Sequence, residues 1–146
     1  MEDEVLVERL TVLRHEIAYL KQERDALKSF QDYGENSRLQ RAVERALQVS
    51  VEACLDIGRR IISENQFRFP EDNKDVFQIL AEEQVIPRAL LPALLDMARF
   101  RNLMVHDYTR IDDAKVFAIL KRNLGDFDAY ALAIVEYLQR GASGPQ

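Results

Sequence analysis

An all-α fold, a single-domain up-and-down bundle of about five helices, follows from three observations. Apolar residues return every three or four positions in each long segment, the spacing that lines one face of a helix. The chain of 146 residues is 47% hydrophobic and 31% charged, with only 5 Gly and 4 Pro to break helices. No internal repeat and no alternating stretch of strand length interrupts that pattern. A chain of this length fits one domain able to bury a full core, assigned here to residues 1–140, with 141–146 read as a disordered tail.

The first segment, about Glu4 to Phe30, places Leu6, Leu10, Leu13, Ile17, Leu20 and Leu27 on one seam, broken only by Arg24. Such a seam packs on a partner helix, inside the chain or from a second copy. Gly34 and Asn36 close it, and Ser37 with Gln40 reads as a capping box that opens a second helix. There Leu39, Val43, Leu47, Ser50, Cys54, Ile57 and Ile61 form the apolar stripe, opposite Arg41, Arg45, Gln48, Glu52, Asp56 and Arg59. The period is lost after Asn65, and Pro70 lies in the gap.

A short third helix runs from Asn73 or Lys74 to Gln84, with Val76, Phe77 and Leu80 inward, and ends at Val85-Ile86-Pro87. A fourth covers roughly Arg88 to His106, with Pro92 shifting its start or kinking it and Leu91, Leu94, Leu95, Ala98 and Leu103 facing inward. Asp112 caps the last helix, in which Val116, Leu120, Leu124, Phe127, Ala131, Ile134 and Leu138 keep phase through Gly125. That continuity predicts one long helix.

Composition excludes several function classes. One cysteine, Cys54, allows neither an internal disulfide nor a multi-Cys zinc site. No apolar run approaches membrane-spanning length, and the start Met1-Glu2-Asp3-Glu4 lacks the basic region of a secretory signal, so the expected location is the cytoplasm. The net charge of −5 opposes non-specific coating of nucleic acid, so an RNA enzyme of this composition needs a local basic cleft.

Of the two histidines, His15 lies off the leucine seam and reads as a solvated surface residue. His106 stands in Arg101-Asn102-Leu103-Met104-Val105-His106-Asp107-Tyr108 at the end of the fourth helix. An imidazole exchanges protons near neutral pH, which suits acid–base work on a ribose hydroxyl or a leaving oxygen. A guanidinium grips a phosphate through two parallel hydrogen bonds and stabilises charge developing on it. Asn102 adds a neutral donor. Together they can cleave RNA without a metal, the 2′-hydroxyl attacking the adjacent phosphate. On an ideal helix, however, Arg101 and His106 point about 140° apart. They converge only if the helix ends or bends between them, or if a second chain shares the cleft. The spacing alone equally describes a helix-end histidine beside a solvated arginine.

The full Arg101-x4-His106-x-Tyr108 pattern resembles the motif of HepT-like proteins in the HEPN superfamily. The resemblance extends to Arg41–Gln48, Glu52–Ile57, Asp75–Leu80, Met97–Asn102 and Tyr108–Asp112, about Glu4 to Leu138 in all. It implies a metal-independent endoribonuclease toxin of a type VII toxin–antitoxin pair, with Arg101 and His106 catalytic, Asn102 supporting, and no cofactor. It implies a homodimer in which two motifs line one cleft. It also implies a partner, an MntA-like nucleotidyltransferase antitoxin, that adds AMP to Tyr108 and silences the site with charge and bulk. Arg99 and Arg110 would add basic charge. A second reading is a non-catalytic HEPN helical module that binds a nucleotide or a nucleotidyltransferase, and a third is a purely structural dimerisation bundle.

The remaining features read as structure. Arg59 and Arg60 are outer-face charges paired with Glu and Asp. Asp107, Asp112 and Asp113 are a cap and solvated carboxylates rather than a metal cluster. Cys54 is a small buried hydrophobe, and Phe67, Phe69 and Phe77 are core or loop-anchoring groups rather than a base-stacking platform.

Overall fold

The computed structural model describes residues 3–142, with side chains through Gly141. Among the described residues there are seven α-helices and no strand: α1 Glu4–Ala26, α2 Phe30–Gly34, α3 Ser37–Glu64, α4 Asn73–Glu82, α5 Leu91–His106, α6 Asp113–Arg122 and α7 Leu124–Ala142. Helix α3, the longest, packs against α1, α2, α4 and α5, while α7 packs against α1 and α6. Apolar burial, worth roughly 1.5–3 kcal/mol per large side chain, holds the bundle together. The seam Leu6, Leu10, Leu13, Ile17 and Leu20 is buried as its spacing requires, and so are Val43, Leu47, Ser50, Cys54, Ile57 and Ile61 on α3.

Several boundaries differ from the sequence reading. The first helix stops at Ala26, because Lys121 of α6 donates to the carbonyls of Arg24 and Leu27, both at 2.8 Å, and satisfies groups a continuing helix would have bonded. Ser29 then caps the separate α2 by accepting from the Asp32 N–H at 3.3 Å. The cap of α3 is Asn36, which accepts from the Leu39 N–H at 3.0 Å, rather than Ser37. Gln40 donates to the Tyr33 and Gly34 carbonyls at 3.0 Å each, lacing α3 to the end of α2 instead of closing a capping box.

Pro92 shifts the fourth segment's start: Arg88–Leu90 is a 3-10 turn, and α5 begins at Leu91. The expected single last helix is two, divided at Asn123. Its N–H still bonds the Ile119 carbonyl at 2.9 Å, and its own carbonyl accepts from Asp126 at 3.1 Å. Burial of Val116, Leu120, Leu124, Phe127, Ala131 and Ile134 continues across the break, so apolar phase alone did not reveal it. Residues 141 and 142 of the expected tail belong to α7, and 143–146 lie outside the described residues, as do Met1 and Glu2.

Helices α3 and α4 meet closest at Gly58, where a Cβ would come within 2.6 Å of Val76 Cγ1. Nearby, the buried Tyr130 of α7 donates to the Cys54 carbonyl at 2.7 Å and sets its ring edge-on to Phe77. Both α3 and α4 end in a Schellman turn with glutamine at the left-handed position. Gln66 (φ 58°) is followed by Phe67 N–H to Ile62 at 3.1 Å, and Gln84 (φ 60°) by Val85 N–H to Leu80 at 2.8 Å.

Candidate active site

Helix α5 buries Leu94, Met97, Ala98, Phe100 and Met104, while Leu95 and Leu103 are only half-buried. Arg101 falls three residues after Ala98 and three before Met104, on the same stripe, so its side chain turns inward against α3. It is 21% exposed and donates from Nη2 and Nε to one oxygen, Glu52 Oε2, at 3.1 and 3.3 Å. Gln48, one turn earlier on α3, donates to the same oxygen at 3.1 Å. Arg101 Nη1 reaches Asn102 Oδ1 at 3.3 Å, and Asn73 Nδ2 of α4 donates to that same atom at 3.2 Å. Arg59 in turn donates to Asn73 Oδ1.

The result is a polar chain running Gln48–Glu52–Arg101–Asn102–Asn73–Arg59 across three helices. It joins Arg101 to Asn102, whose side-chain oxygen accepts here, where the sequence reading casts Asn102 as a donor. It also recruits Gln48, Glu52 and Arg59, which sequence reasoning left on a solvated face, and Asn73, which it read only as a possible start of the third helix. Arg59 and Arg60 do pair with carboxylates as expected, Arg59 with Asp56 at 3.8 Å and Arg60 with Asp3 and Glu64 at 2.9 and 3.0 Å.

His106 is the last residue of an unbroken α5 and is exposed, with no hydrogen bond to any described residue, so both ring nitrogens are open. Helix α5 runs without interruption from Leu91 to His106, and on an ideal helix side chains five residues apart project about 140° apart. Arg99 and Arg110 lie outside the network: Arg99 pairs with Asp96 at 2.8 Å and Arg110 with Asp107 at 3.5 Å, both on the surface. His15 is exposed and Cys54 is buried, as read. Asp112 caps α6 through the Ala114 N–H at 2.9 Å. Among the described residues no group of three His, Cys, Asp or Glu side chains gathers at metal-binding distance.

Tyr108 begins a 3-10 turn after α5 and is 58% exposed. Its phenol faces Glu44 of α3, whose negative charge, and secondarily a hydrogen bond, push the Tyr108 pKa above its ordinary value. Glu44 is itself buried, and desolvation raises its carboxyl above the usual range. Behind it lies the fully buried Tyr33, held protonated first by burial and then by the Glu44 charge. Glu44 Oε1 and the Tyr33 hydroxyl have no hydrogen-bond partner. Two orphaned buried polar atoms cost stability, and such a cost is usually found at functional positions. Glu44 gave no signal in the sequence beyond a charge on the edge of the apolar stripe of α3.

No helix among the described residues is long and apolar enough to cross a membrane. Residues 13–134 match the family model described as ribonuclease HepT-like. The chain is 33% identical over 106 residues to the mRNA nuclease HepT of Shewanella oneidensis, covering 68% of this chain and 80% of that protein. It is 27% identical over 138 residues to the tRNA nuclease HepT of Aphanizomenon flos-aquae, covering 94% and 92%. In three dimensions it resembles the tri-AMPylated Shewanella oneidensis HEPN toxin solved in complex with its MNT antitoxin. That match has a TM-score of 0.83 and 25% identity over 92% of this chain and 99% of that one. Its fold also matches the cytosolic Bacillus subtilis protein YutE, of unknown function, at a TM-score of 0.82 and 19% identity over 97% and 93%. The Arg101–His106–Tyr108 motif therefore sits on the fold the resemblance implied, and the chain belongs to the ribonuclease HepT-like family.

Proposed function

We propose that the protein is a metal-independent endoribonuclease, the toxin of a type VII toxin–antitoxin pair, working as a homodimer whose two motifs share one cleft. The observation that carries this is the contrast between the two motif side chains. Arg101 is tethered by a single carboxylate oxygen and one amide, which fixes its direction and leaves guanidinium N–H groups for a phosphate. His106 is bound to nothing and open to solvent. Since one unbroken helix directs them apart, a scissile phosphate meets both only where a second copy supplies the missing one. The exposed Val105 and Tyr108 beside His106 suit such a contact.

In that cleft the ribose 2′-oxygen bonds to phosphorus while the P–O5′ bond breaks. One proton leaves the 2′-hydroxyl and another arrives on O5′, giving a cyclic phosphate and a 5′-hydroxyl end. His106 carries protons in this exchange, Arg101 holds the phosphate oxygens where charge builds, and Asn102 keeps Arg101 in register. Tyr108 is the modification site: its oxygen attacks the α-phosphorus of ATP held by an MntA-like nucleotidyltransferase antitoxin, and pyrophosphate leaves. The attached AMP puts negative charge at the mouth of the cleft and blocks RNA.

The test is cleavage of RNA in EDTA. Wild type cuts, and Arg101→Ala and His106→Ala each fall by about 10²- to 10⁴-fold with unchanged melting temperature. Full activity in both variants contradicts the proposal. Tight nucleotide or partner binding with no cleavage by wild type supports the non-catalytic module instead.

A further inference from the structure

The loop between α3 and α4 presents an aromatic ring to solvent on a backbone tied down on both sides. Phe69 is 89% exposed, so it is neither core nor anchor as its composition suggested. Before it, Phe67 packs on the core, and the Gln66 turn fixes the exit from α3. Next to it, Arg68 donates to both Asp75 oxygens at 2.8 and 2.7 Å and to Glu82 at 3.0 and 2.8 Å. After it, the Glu71 N–H donates to Asp75 Oδ2 at 2.9 Å. A lone exposed apolar side chain is ordinary. One held at a fixed place on the rim of a pocket is a presented surface.

That pocket, about 500 Å³, is walled by Arg59, Ile62, Phe69, Glu71 and Asn73 among others. Its size is that of a small-ligand site. Asn73 belongs both to its wall and to the chain of hydrogen bonds that ends on Arg101, through Asn102 Oδ1 at 3.2 Å. The pocket is therefore two amide side chains from the guanidinium. Its charge selects the ligand class. Glu71 and Asp72 offset Arg59, which disfavours a phosphate, whereas a flat neutral ring gains an aromatic face and carboxylate acceptors for its N–H groups.

We propose that this pocket is a subsite for one unpaired RNA base flanking the scissile phosphate, stacked on Phe69, with Asn73 coupling its occupancy to Arg101. The proposal rests on the ribonuclease reading. It makes Phe69 a binding residue, outside the reaction itself, that sets which neighbouring base favours cleavage.

The test uses single-stranded RNA carrying 2-aminopurine next to the mapped cut, with Phe69→Leu and Phe69→Trp. Phe69→Leu raises KM on the order of tenfold, as loss of one base–aromatic stack does. It leaves kcat within about threefold, flattens the preference for the flanking base and abolishes 2-aminopurine quenching. Phe69→Trp keeps all three near wild type. Wild-type kinetics, base preference and quenching in Phe69→Leu overturn the proposal, as does unchanged cleavage with weakened self- or partner association, which would make Phe69 a protein contact. Phe69-dependent quenching of a 2-aminopurine-substituted single-stranded RNA that wild type binds but does not cut upholds base stacking on Phe69 while refuting the ribonuclease. Neither quenching nor cleavage refutes both.

Discussion

Arg68 and Arg101 are the same residue type in opposite settings, and the difference lies in how completely each is paired. Arg68 is the more exposed, yet it makes four hydrogen bonds to two carboxylates, two of them bidentate on Asp75. Arg101 is half-buried, yet its ionic partner is one oxygen of Glu52, shared with Gln48. A guanidinium with its fork filled is a clamp. One aimed by a single anchor still has donors to offer. Exposure alone would have assigned the two roles the wrong way round.

The carboxylates show the same division. Arg68 holds Asp75 and Glu82 below their ordinary pKa values. Glu44 beside Tyr108 is raised above its own, because burial there outweighs the Tyr108 hydrogen bond and the Arg41 charge that oppose it. One region is organised for stability. The other buries a carboxyl whose ionised form the fold disfavours.

The largest expected effect separates the arginines directly. Arg101→Gln lowers RNA cleavage by about 10²- to 10³-fold and leaves the melting temperature near wild type. Arg68→Gln does the reverse, losing stability while kcat stays. A cleavage loss in Arg68→Gln as large as that in Arg101→Gln breaks the comparison.

Acid titration of stability comes next. Because Asp75 and Glu82 are lowered in the folded state, Arg68 contributes stability that is complete above their ordinary values and lost as pH falls below about 4. The gap between wild type and Arg68→Gln, followed by urea melts, therefore closes in acid. Glu44 has the opposite sign. Its raised value gives a contribution present below the ordinary glutamate range and lost as pH rises through the folded value. Glu44→Gln is accordingly more stable than wild type at pH 7, and that advantage vanishes near pH 4.

The smallest effect lies away from both regions. Gln84→Gly, which relieves a left-handed backbone at φ 60°, raises stability by at most about 1 kcal/mol and leaves cleavage unchanged.

Much of this was legible beforehand, for identifiable reasons. The leucine seam and the α3 stripe announced their helices because burial follows a 3.6-residue period, and the Arg101–Tyr108 pattern announced the family. The break at Asn123 did not show, since the apolar phase runs through it. The ends of α3 and α4 carry glutamine where a glycine would have marked the turn. Glu52 and Arg59 looked like solvated charges and Asn73 like a mere helix start, because only the packing of α4 and α5 on α3 brings them into the network of Arg101. Phe69 was misread because an aromatic in an apolar-poor loop ordinarily anchors it. Clamping by Arg68 depends on carboxylates 7 and 14 residues away.

The central claim, that two copies complete one cleft, is tested most directly by mixing two dead variants. Arg101→Ala and His106→Ala are combined, unfolded together, refolded and assayed on RNA. If the shared cleft pairs the arginine of one copy with the histidine of the other, each mixed dimer keeps one of its two Arg–His pairs, and with about half of the dimers mixed, activity recovers to about a quarter of wild type. If the mixture stays as inactive as either variant alone, with mixed dimers demonstrably formed, the shared cleft is refuted.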